Sequence, residues 1–385
     1  MRRDRLLIAT GLSLLLHGYI AWRLLPALSL GPTAFMLALG ALLASGLLAP
    51  APLLIRLSSL PARAADALAW VGYLALGVFS SLLVLCLLRD GLLAVLAGWN
   101  FLQPGALNLE RLSQTSALAV VVLTAVVSLV GLVNARRLAK VVQIDLPIAG
   151  LPAALSGFII VQISDLHVGP TIKRGYLDAI VRRVNGLDAD LVAVTGDIID
   201  GSVSRLRAHV APLAELRSRH GTFCVTGNHE YYHGVEAWLT EWRRLGMRVL
   251  LNEGEVLDHD GARLLIGGVT DYSAHHYDAA HRSDPSAAAR GAGLVAVKLL
   301  LAHQPRSAAA AAEAGFDVQL SGHTHGGQFL PWNFLVPMQQ PFVSGLKRLN
   351  KLLVYTSRGT GYWGPPLRFC APSEITRLRL VPAAG

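Results

Sequence analysis

Four long runs without a single Asp, Glu, Lys or Arg fill the first third of this 385-residue chain: Leu6–Trp22, Thr33–Ile55, Leu68–Leu88 and Ala117–Asn134. The hydrocarbon core of a bilayer, about 30 Å thick, is crossed by about 20 apolar residues in a helix. Each run is near that length, so four membrane-spanning helices are expected. The first run is the shortest and holds His17. A cleaved secretion signal after Met1-Arg2-Arg3-Asp4-Arg5 is disfavoured, because no clear A-x-A site follows and more spans come after it. Buried core helices would carry an amphipathic stripe, which the other three runs lack. Gly91–Leu102 is apolar but short, and admits a re-entrant, an interfacial or a helix-extending reading.

Charge separates the two parts of the chain. Of its 34 Lys and Arg and 25 Asp and Glu, 11 and 4 fall in Met1–Lys140, leaving 23 and 21 for the rest. A nucleic-acid protein would carry its excess as a patch on the folded domain. Here the excess lies in the apolar part and reads as topology signal and headgroup contact; no nucleic-acid partner is expected. With the N-terminus inside, the inside segments hold Arg2, Arg3, Arg5, Arg56, Arg63, Arg136, Arg137 and Lys140, and the outside ones Arg23, Arg89 and Arg111. That asymmetry predicts a multi-pass protein of the inner (cytoplasmic) membrane, with both the N-terminus and the C-terminal part in the cytoplasm. Three scattered cysteines, Cys86, Cys224 and Cys370, form neither a disulfide framework nor a cysteine zinc site.

After Lys140 short β-type runs alternate with helical patterns. The strand candidates are Phe158–Ile163, Leu191–Val194, Thr222–Val225, Leu264–Val269, Leu299–Ala302, Asp317–Leu320 and Leu352–Thr356. The helix candidates are Arg174–Asn185, Ser204–Arg217, Val235–Leu245 and the Ala-rich Ala308–Ala314. Interleaved strands and helices predict an α/β domain over 140–385, after a transmembrane domain over 1–139.

Five polar motifs close five of these strands. They are Asp165-Leu166-His167, Gly196-Asp197, Gly227-Asn228-His229-Glu230, His303 and Gly322-His323-Thr324-His325-Gly326-Gly327. Open α/β sheets bind ligands beyond the carboxyl ends of their strands, so the five clusters are expected to converge. In a strand-like Asp-x-His or His-x-His, alternate side chains share a side and can reach one metal. Two Asp, one Asn and four His make a mixed oxygen and imidazole set suited to Mn, Fe, Zn or Ni. Seven donors exceed one tetrahedral zinc and suit two divalent ions sharing a carboxylate, roughly 3.5–4 Å apart, a pair that catalyses displacement at phosphorus.

In this order the motifs resemble the signature of the calcineurin-like metallophosphoesterases over about Val141–Pro382. Gly322–Gln328, the late Tyr355-Thr356-Ser357-Arg358-Gly359-Thr360-Gly361 and Pro372-Ser373-Glu374-Ile375 are similar to its YaeI/YkuE-like branch. That branch includes multi-span membrane proteins and enzymes that cleave UDP-2,3-diacylglucosamine. The resemblance implies a two-sheet β-sandwich flanked by helices. It implies that Asp165, His167 and His325 bind one metal, that Asp197 bridges, and that Asn228, His303 and His323 bind the other. Manganese is the first choice of metal. His229 is implied as the catalytic residue at the leaving-group oxygen, acting as acid or hydrogen-bond donor.

Other polar residues read more plainly. His233, His275, His276 and His281 are taken as solvated loop histidines, although Asp271–Gly293 has the makings of a lid. Asp200 either orders its loop or is solvated. Trp238 and Trp242, four apart on a helix, serve core packing or interfacial anchoring. The functional expectation is a membrane-anchored phosphodiesterase or pyrophosphatase acting on a lipid-linked phosphoester such as UDP-2,3-diacylglucosamine or a phospholipid. Its rivals are a tethered hydrolase of soluble phosphodiesters and a non-enzymatic membrane sensor or scaffold. Ionised Asp and neutral His ligands predict loss of activity in acid. Oligomeric state is left open.

Overall fold

The structure, a computed structural model, describes residues 3–55 and 60–383; of the basic residues in the topology argument, Arg2 and Arg56 lie outside them. The chain divides into two compact units. One comprises Met1–Asn134 together with Gly364–Phe369, the other Ala135–Trp363 together with Cys370–Gly385.

The helical unit is built from α1 (Arg3–Leu24), α2 (Pro32–Leu48), α3 (Ala51–Ile55), α4 (Ala62–Leu102) and α5 (Leu109–Arg136). Four stretches are long and apolar enough to cross a membrane: Leu6–Leu24, Pro32–Leu53, Ala62–Leu102 and Leu109–Arg136. The second expected span breaks after Leu48. Pro50 and Pro52 follow there, and proline can neither donate into a helix interior nor fit its preceding turn. Gly91–Leu102 is a direct extension of α4, whose 41 residues make about 60 Å of helix, twice the hydrocarbon thickness. Arg89, read as a flanking residue, therefore lies within a helix and is buried. His17 is also buried, and satisfied: Nδ1 bonds the Ser13 carbonyl at 2.8 Å, Nε2 meets Ser45 Oγ at 3.0 Å, and the ring stacks on Phe79.

The second unit is a sandwich of two six-stranded sheets. One has the order β1-β12-β2-β3-β4-β5 and the other β10-β11-β9-β8-β7-β6. The strands are β1 (Lys140–Ile148), β2 (Ile159–Ile163), β3 (Leu191–Thr195), β4 (Thr222–Val225), β5 (Arg248–Val249), β6 (Glu253–His259), β7 (Ala262–Gly268), β8 (Val297–Leu301), β9 (Val318–Ser321), β10 (Gly345–Leu349), β11 (Leu352–Thr356) and β12 (Glu374–Pro382). Six helices complete it: α6 (Arg174–Asn185), α7 (Val203–Val210), α8 (Asn228–Tyr232), α9 (Val235–Arg244), α10 (Pro285–Ala288) and α11 (Ala308–Glu313).

The seven strands read from sequence are all present and all lie inside the sheets. Their Val, Ile and Leu form the core between the sheets, including Ile160, Leu191, Phe223, Leu264, Leu299 and Leu320. The outer face of the first sheet packs on α6, α7 and α9 through residues such as Val161, Val192, Ile180 and Trp238. Parallel pairing β2·β3·β4 and β7·β8·β9·β11 points the carboxyl ends within each run the same way, which places the five motifs. The helix expected over Ser204–Arg217 ends at Val210 and continues as a 3₁₀ turn through Ala211–Glu215, where Pro212 removes a donor. Trp238 and Trp242 stack at 4.7 Å and are fully buried, which settles them as core.

Candidate metal centre

The residues following β2, β3, β4, β8 and β9 come together as expected, but strand alternation is not what aims them. Asp165, His167, Asp197, His323 and His325 all have φ between 50° and 70°, the left-handed region that non-glycine residues rarely occupy. Each costs backbone strain that the surroundings must hold in place. Asp165 N–H donates to the Gly196 carbonyl at 3.0 Å and His167 N–H to the Asp197 carbonyl at 3.1 Å, so the two turns brace each other. Two glycines allow the close approach: a Cβ on Gly227 would sit 2.1 Å from Asp197 Oδ1, and one on Gly322 2.2 Å from Asp165 Oδ2. Asn228 and His229 stand on the helix α8 rather than on an extended segment. They diverge by helical rotation, not by strand alternation.

Asp165, His167 and His325 form one group of potential ligands, and Asp197, His303 and His323 a second, each with its donor atoms within 4.8 Å of one another. His167 Nε2 faces His325 Nε2 at 3.0 Å, and His303 Nε2 faces His323 Nδ1 at 3.2 Å. His303 Nε2 also lies 3.2 Å from Asp197 Oδ2, and His167 Nε2 3.8 Å from the same oxygen, so Asp197 stands between the groups. The Asn228 side-chain oxygen is buried without a hydrogen-bond partner, although buried oxygens are ordinarily satisfied. An orphaned oxygen beside nitrogens that face one another fits a divalent cation, so the residues present fit the expected metal pair.

Supporting bonds fix the tautomers. His303 Nδ1 lies 2.7 Å from the Thr195 carbonyl. A carbonyl only accepts, so Nδ1 carries a proton and Nε2 is the nitrogen that faces the centre. Asp200 Oδ1 does the same for His167, accepting from Nδ1 at 3.2 Å, and also accepts from Nδ1 of His229. Glu230 receives the backbone N–H groups of Asp197 at 3.1 Å, Ile198 at 2.9 Å and Gly227 at 2.7 Å, locking the β3 and β4 turns together. His229 N–H donates to Asp197 Oδ1 at 2.9 Å.

Charge is balanced within the centre. Burial alone would raise the Asp197 carboxyl, but the His303 and His229 imidazoles hold it well below the usual range. Burial would lower His303, yet Asp197 and Asp165 push it well above its ordinary value. Burial and the neighbouring His303 bring His323 down to about 3. For His229 burial opposes charge, but Asp197 and Asp200 outweigh it and raise the group to about 9. The His229 Nε2, 3.9 Å from Asp197 Oδ2, looks into the centre.

Two residues matter more than their sequence context suggested. Asp200 is the shared acceptor for His167 and His229, and the signal was its spacing of three from Asp197. Glu230 was quoted only as part of a motif, yet it is buried and holds three backbone amides. His233 is half-buried and forms a group with Asp200 and His229, so it is not a solvated loop histidine. His281 bonds the Tyr231 hydroxyl at 2.8 Å, while His275 and His276 pair with each other. Asp271 is buried and accepts from the Gln304 amide at 3.0 Å. The Tyr355–Gly361 segment backs the first motif through Thr360 N–H to the Ser164 carbonyl at 2.7 Å and Gly361 N–H to that of Asp165 at 3.0 Å. Glu374 in turn accepts from Tyr355 Oη and Arg358 Nε, both at 2.7 Å.

A two-sheet sandwich that gathers Asp165, His167, Asp197, His303, His323 and His325 at its strand ends has the form of a metallophosphoesterase domain. The sequence profile described as calcineurin-like phosphoesterase matches residues 158–327. An uncharacterised metallophosphoesterase of Campylobacter jejuni is 36% identical over 265 residues, covering 68% of this chain and 69% of that one. YkuE of Bacillus subtilis, described as an uncharacterised metallophosphoesterase, is 30% identical over 238 residues, covering 59% and 80%. The chain belongs to the calcineurin-like metallophosphoesterase family. A transmembrane protein with metallophosphoesterase domain from Bos taurus is 40% identical over 283 residues, covering 70% of this chain; the match spans 63% of that longer relative.

Proposed function

We propose that this chain is a membrane-anchored, metal-dependent phosphoric ester hydrolase that cleaves phosphodiester or pyrophosphate bonds of lipid-linked substrates, such as UDP-2,3-diacylglucosamine or a phospholipid. The observation that carries the hydrolase reading is the gathering of Asp165, His167 and His325 beside Asp197, His303 and His323, with facing donors, and the buried, unpartnered side-chain oxygen of Asn228. Two divalent ions there, manganese first, would polarise the phosphoryl oxygens and generate a nucleophile from water. Asp165, His167 and His325 would hold one ion, Asn228, His303 and His323 the other, and Asp197 both. His229 would donate to the leaving oxygen, with Asp200 accepting from its Nδ1 and orienting its ring. Glu230 keeps Asp197 and Asn228 in register through the backbone.

Four candidate spans support the lipid-linked reading, because one would tether a hydrolase of soluble substrates. We place the division between the transmembrane domain, 1–139, and the catalytic domain, 140–385, and orient the latter to the cytoplasmic side of an inner membrane on the basic asymmetry, eight residues against Arg23 and Arg111 once Arg89 is counted inside α4. A reporter fused after Gly385 is expected to read cytoplasmic, and a periplasmic signal sinks the topology. Purified protein with added Mn²⁺, offered a lipid extract beside soluble nucleotides and bis(4-nitrophenyl) phosphate, separates the substrate readings. Turnover of soluble diesters alone leaves the tethered hydrolase, and no turnover with both metals bound leaves the sensor.

A further inference from the structure

Phe329–Lys351 follows the last candidate ligand and contains no acidic residue. It carries a cluster of large apolar side chains and then Lys347, Arg348 and Lys351. Two short 3₁₀ turns, Trp332–Phe334 and Val336–Met338, present Trp332, Phe334, Leu335 and Met338 to the outside, at 40%, 71%, 48% and 80% exposure. Loops facing water are ordinarily polar. A contiguous exposed apolar cluster marks an interaction surface.

The loop is mounted on the centre itself. A Cβ on Gly327 would lie 2.2 Å from the Asn333 Cα, so the loop backbone rests on the turn that holds His323 and His325. Thr324 Oγ1 donates to the Val343 carbonyl at 2.6 Å. Gln340 donates to Gln304, the neighbour of His303, at 3.1 Å, and Arg306 Nε donates to the Gln339 carbonyl. Trp363, itself half exposed, lies edge-on to the His229 ring at 5.9 Å.

We propose that 331–339 docks shallowly into the bilayer interface, holding the mouth of the metal centre at the membrane surface, while the positive charge of the following hairpin, Lys347, Arg348 and Lys351, adds a long-range attraction to anionic lipid. The proposal rests on the hydrolase reading for its purpose. The bilayer is the occupant because the same chain carries four candidate spans, which keep a lipid surface within reach. Apolar and basic residues without any acid also complement an anionic leaflet, which attracts each nearby Lys or Arg. A tryptophan beside aliphatic residues suits the headgroup boundary. Tight mounting on Gly327, Gln304 and Thr324 carries any docking directly to the ligand turns.

The full-length protein in nanodiscs of phosphatidylcholine and phosphatidylglycerol, loaded with one chain per disc, tests this. Cys370→Ser removes the exposed cysteine, Cys86 and Cys224 being buried, and a spin label goes on Met338→Cys or, as a control, Glu215→Cys. The label at 338 is expected to be relaxed more by oxygen than by a water-soluble paramagnetic chelate, with the opposite order at 215. In a second arm, Phe334→Ser/Leu335→Ser/Met338→Ser lowers the ratio of turnover on phospholipid vesicles to that on bis(4-nitrophenyl) phosphate by about tenfold or more. A label at 338 as accessible to the chelate as at 215 overturns the docking. So does protection seen only with two chains per disc, which makes a second copy the occupant. Label buried without lipid turnover in the wild type upholds the docking and removes the lipid-substrate reading; lipid turnover with the label in water does the reverse.

Discussion

The two units of this chain differ in what they bury: beside a small apolar cluster of Ile20, Leu24 and Val120, the longest helix of the first buries small residues, and the second buries large ones. Along α4 the buried positions are Ala65, Ala69, Gly72, Gly77, Ser81, Cys86 and Arg89, while Leu87, Leu88, Leu92 and Val95 are exposed. In the catalytic unit Val, Ile, Leu and Trp are inside. Lipid tails are as apolar as leucine, so burying leucine gains nothing between membrane helices. Close packing of small residues and internal polar bonds hold them together instead. Gly72 shows the packing, since a Cβ there would come 2.8 Å from the Leu48 carbonyl oxygen. The polar part is a cluster on α1, α4 and α5. Asp90 accepts from Tyr19 Oη at 2.5 Å and Arg23 Nε at 2.7 Å. Arg89 reaches Asp90 at 3.2 Å, Ser113 Oγ at 2.9 Å and Ser116 Oγ at 3.1 Å. In water, by contrast, sheet cores stabilise through apolar area, at about 25 cal/mol per Å².

If the units depend on different forces, changes in one should leave the other intact. The largest effect is expected from Asp197→Asn, which removes the charge between the two ligand groups. Metal content and turnover should both be lost, the rate by roughly 10⁴-fold or more, while Cys86 in the helical unit stays as protected from thiol reagents as in the wild type. Full metal content and rate in this variant would refute the bridging role. His229→Ala should keep its metal and lose about 10²–10⁴-fold in turnover, less on nitrophenyl esters, whose leaving groups need little protonation. His323→Ala should lose metal first. Loss of metal in His229→Ala would make it a ligand or a support. Asp200→Ala, which frees both the His167 and His229 rings, should cost about 10–100-fold, with metal affinity measured beside rate to apportion the loss.

The sequence disclosed these two units unequally. All seven proposed strands are interior ones, continuous Val, Ile and Leu runs that a sheet buried on both faces requires. Five strands were missed: the edge or half-exposed β1 with its Gln143 and Asp145, the two-residue β5, β6 with Glu253, Glu255 and Asp258, and β10 with Lys347 and Arg348, together with the inner β12 with its alternating arginines. Their polar faces look like loops until the partner strand is known. The seven candidate ligands were legible from residue type and order, but the left-handed backbone of five of them was not, because φ is set by the packing of one turn on another. Asp200 and Glu230 were obscure for a related reason, since both act through bonds across strands. In the helices, length and apolarity revealed the spans, whereas the continuation of α4 through Arg89 and Asp90 depended on partners in α1 and α5.

That partly buried pair gives the fourth test. Asp90→Asn leaves Arg23 and Arg89 facing each other without a counter-charge. Removing one partner of a buried ion pair typically costs about 3 kcal/mol, roughly a hundredfold in an opening equilibrium. Modification of Cys86, which lies one turn before Asp90 on α4, should accelerate by that factor in detergent or bilayer, while turnover of bis(4-nitrophenyl) phosphate changes by less than about twofold. A parallel fall in turnover would break the comparison and show that the helical unit sets the geometry of the centre.

The smallest effect is expected where the same chemistry meets water. Glu241 on α9 is, like Asp90, one carboxylate shared by two arginines: Arg244 Nε donates at 2.8 Å, and Arg207 Nε lies 3.2 Å away. Both arginines, however, are about half exposed, so solvent screens them and can solvate them when the partner is lost. Hydrogen bonding from Arg244 holds the Glu241 carboxyl below its ordinary value despite burial. A depressed folded value means the pair contributes stability above the unfolded glutamate pKa, about 4.3, and loses it as pH falls through the lower folded value. Glu241→Gln should therefore cost about 0.5–1 kcal/mol near pH 7. The difference from wild type should shrink below about pH 4, where the wild-type carboxylate takes up its proton. Added salt should shrink it too, since exposed charges are screened within about 10 Å at 0.1 M. Asp90→Asn should show no such salt response if its cluster is shielded by lipid. Equal costs and equal salt sensitivity for the two substitutions would mean that the Asp90 cluster is hydrated, and that the helical unit is held by the same forces as the domain that follows it.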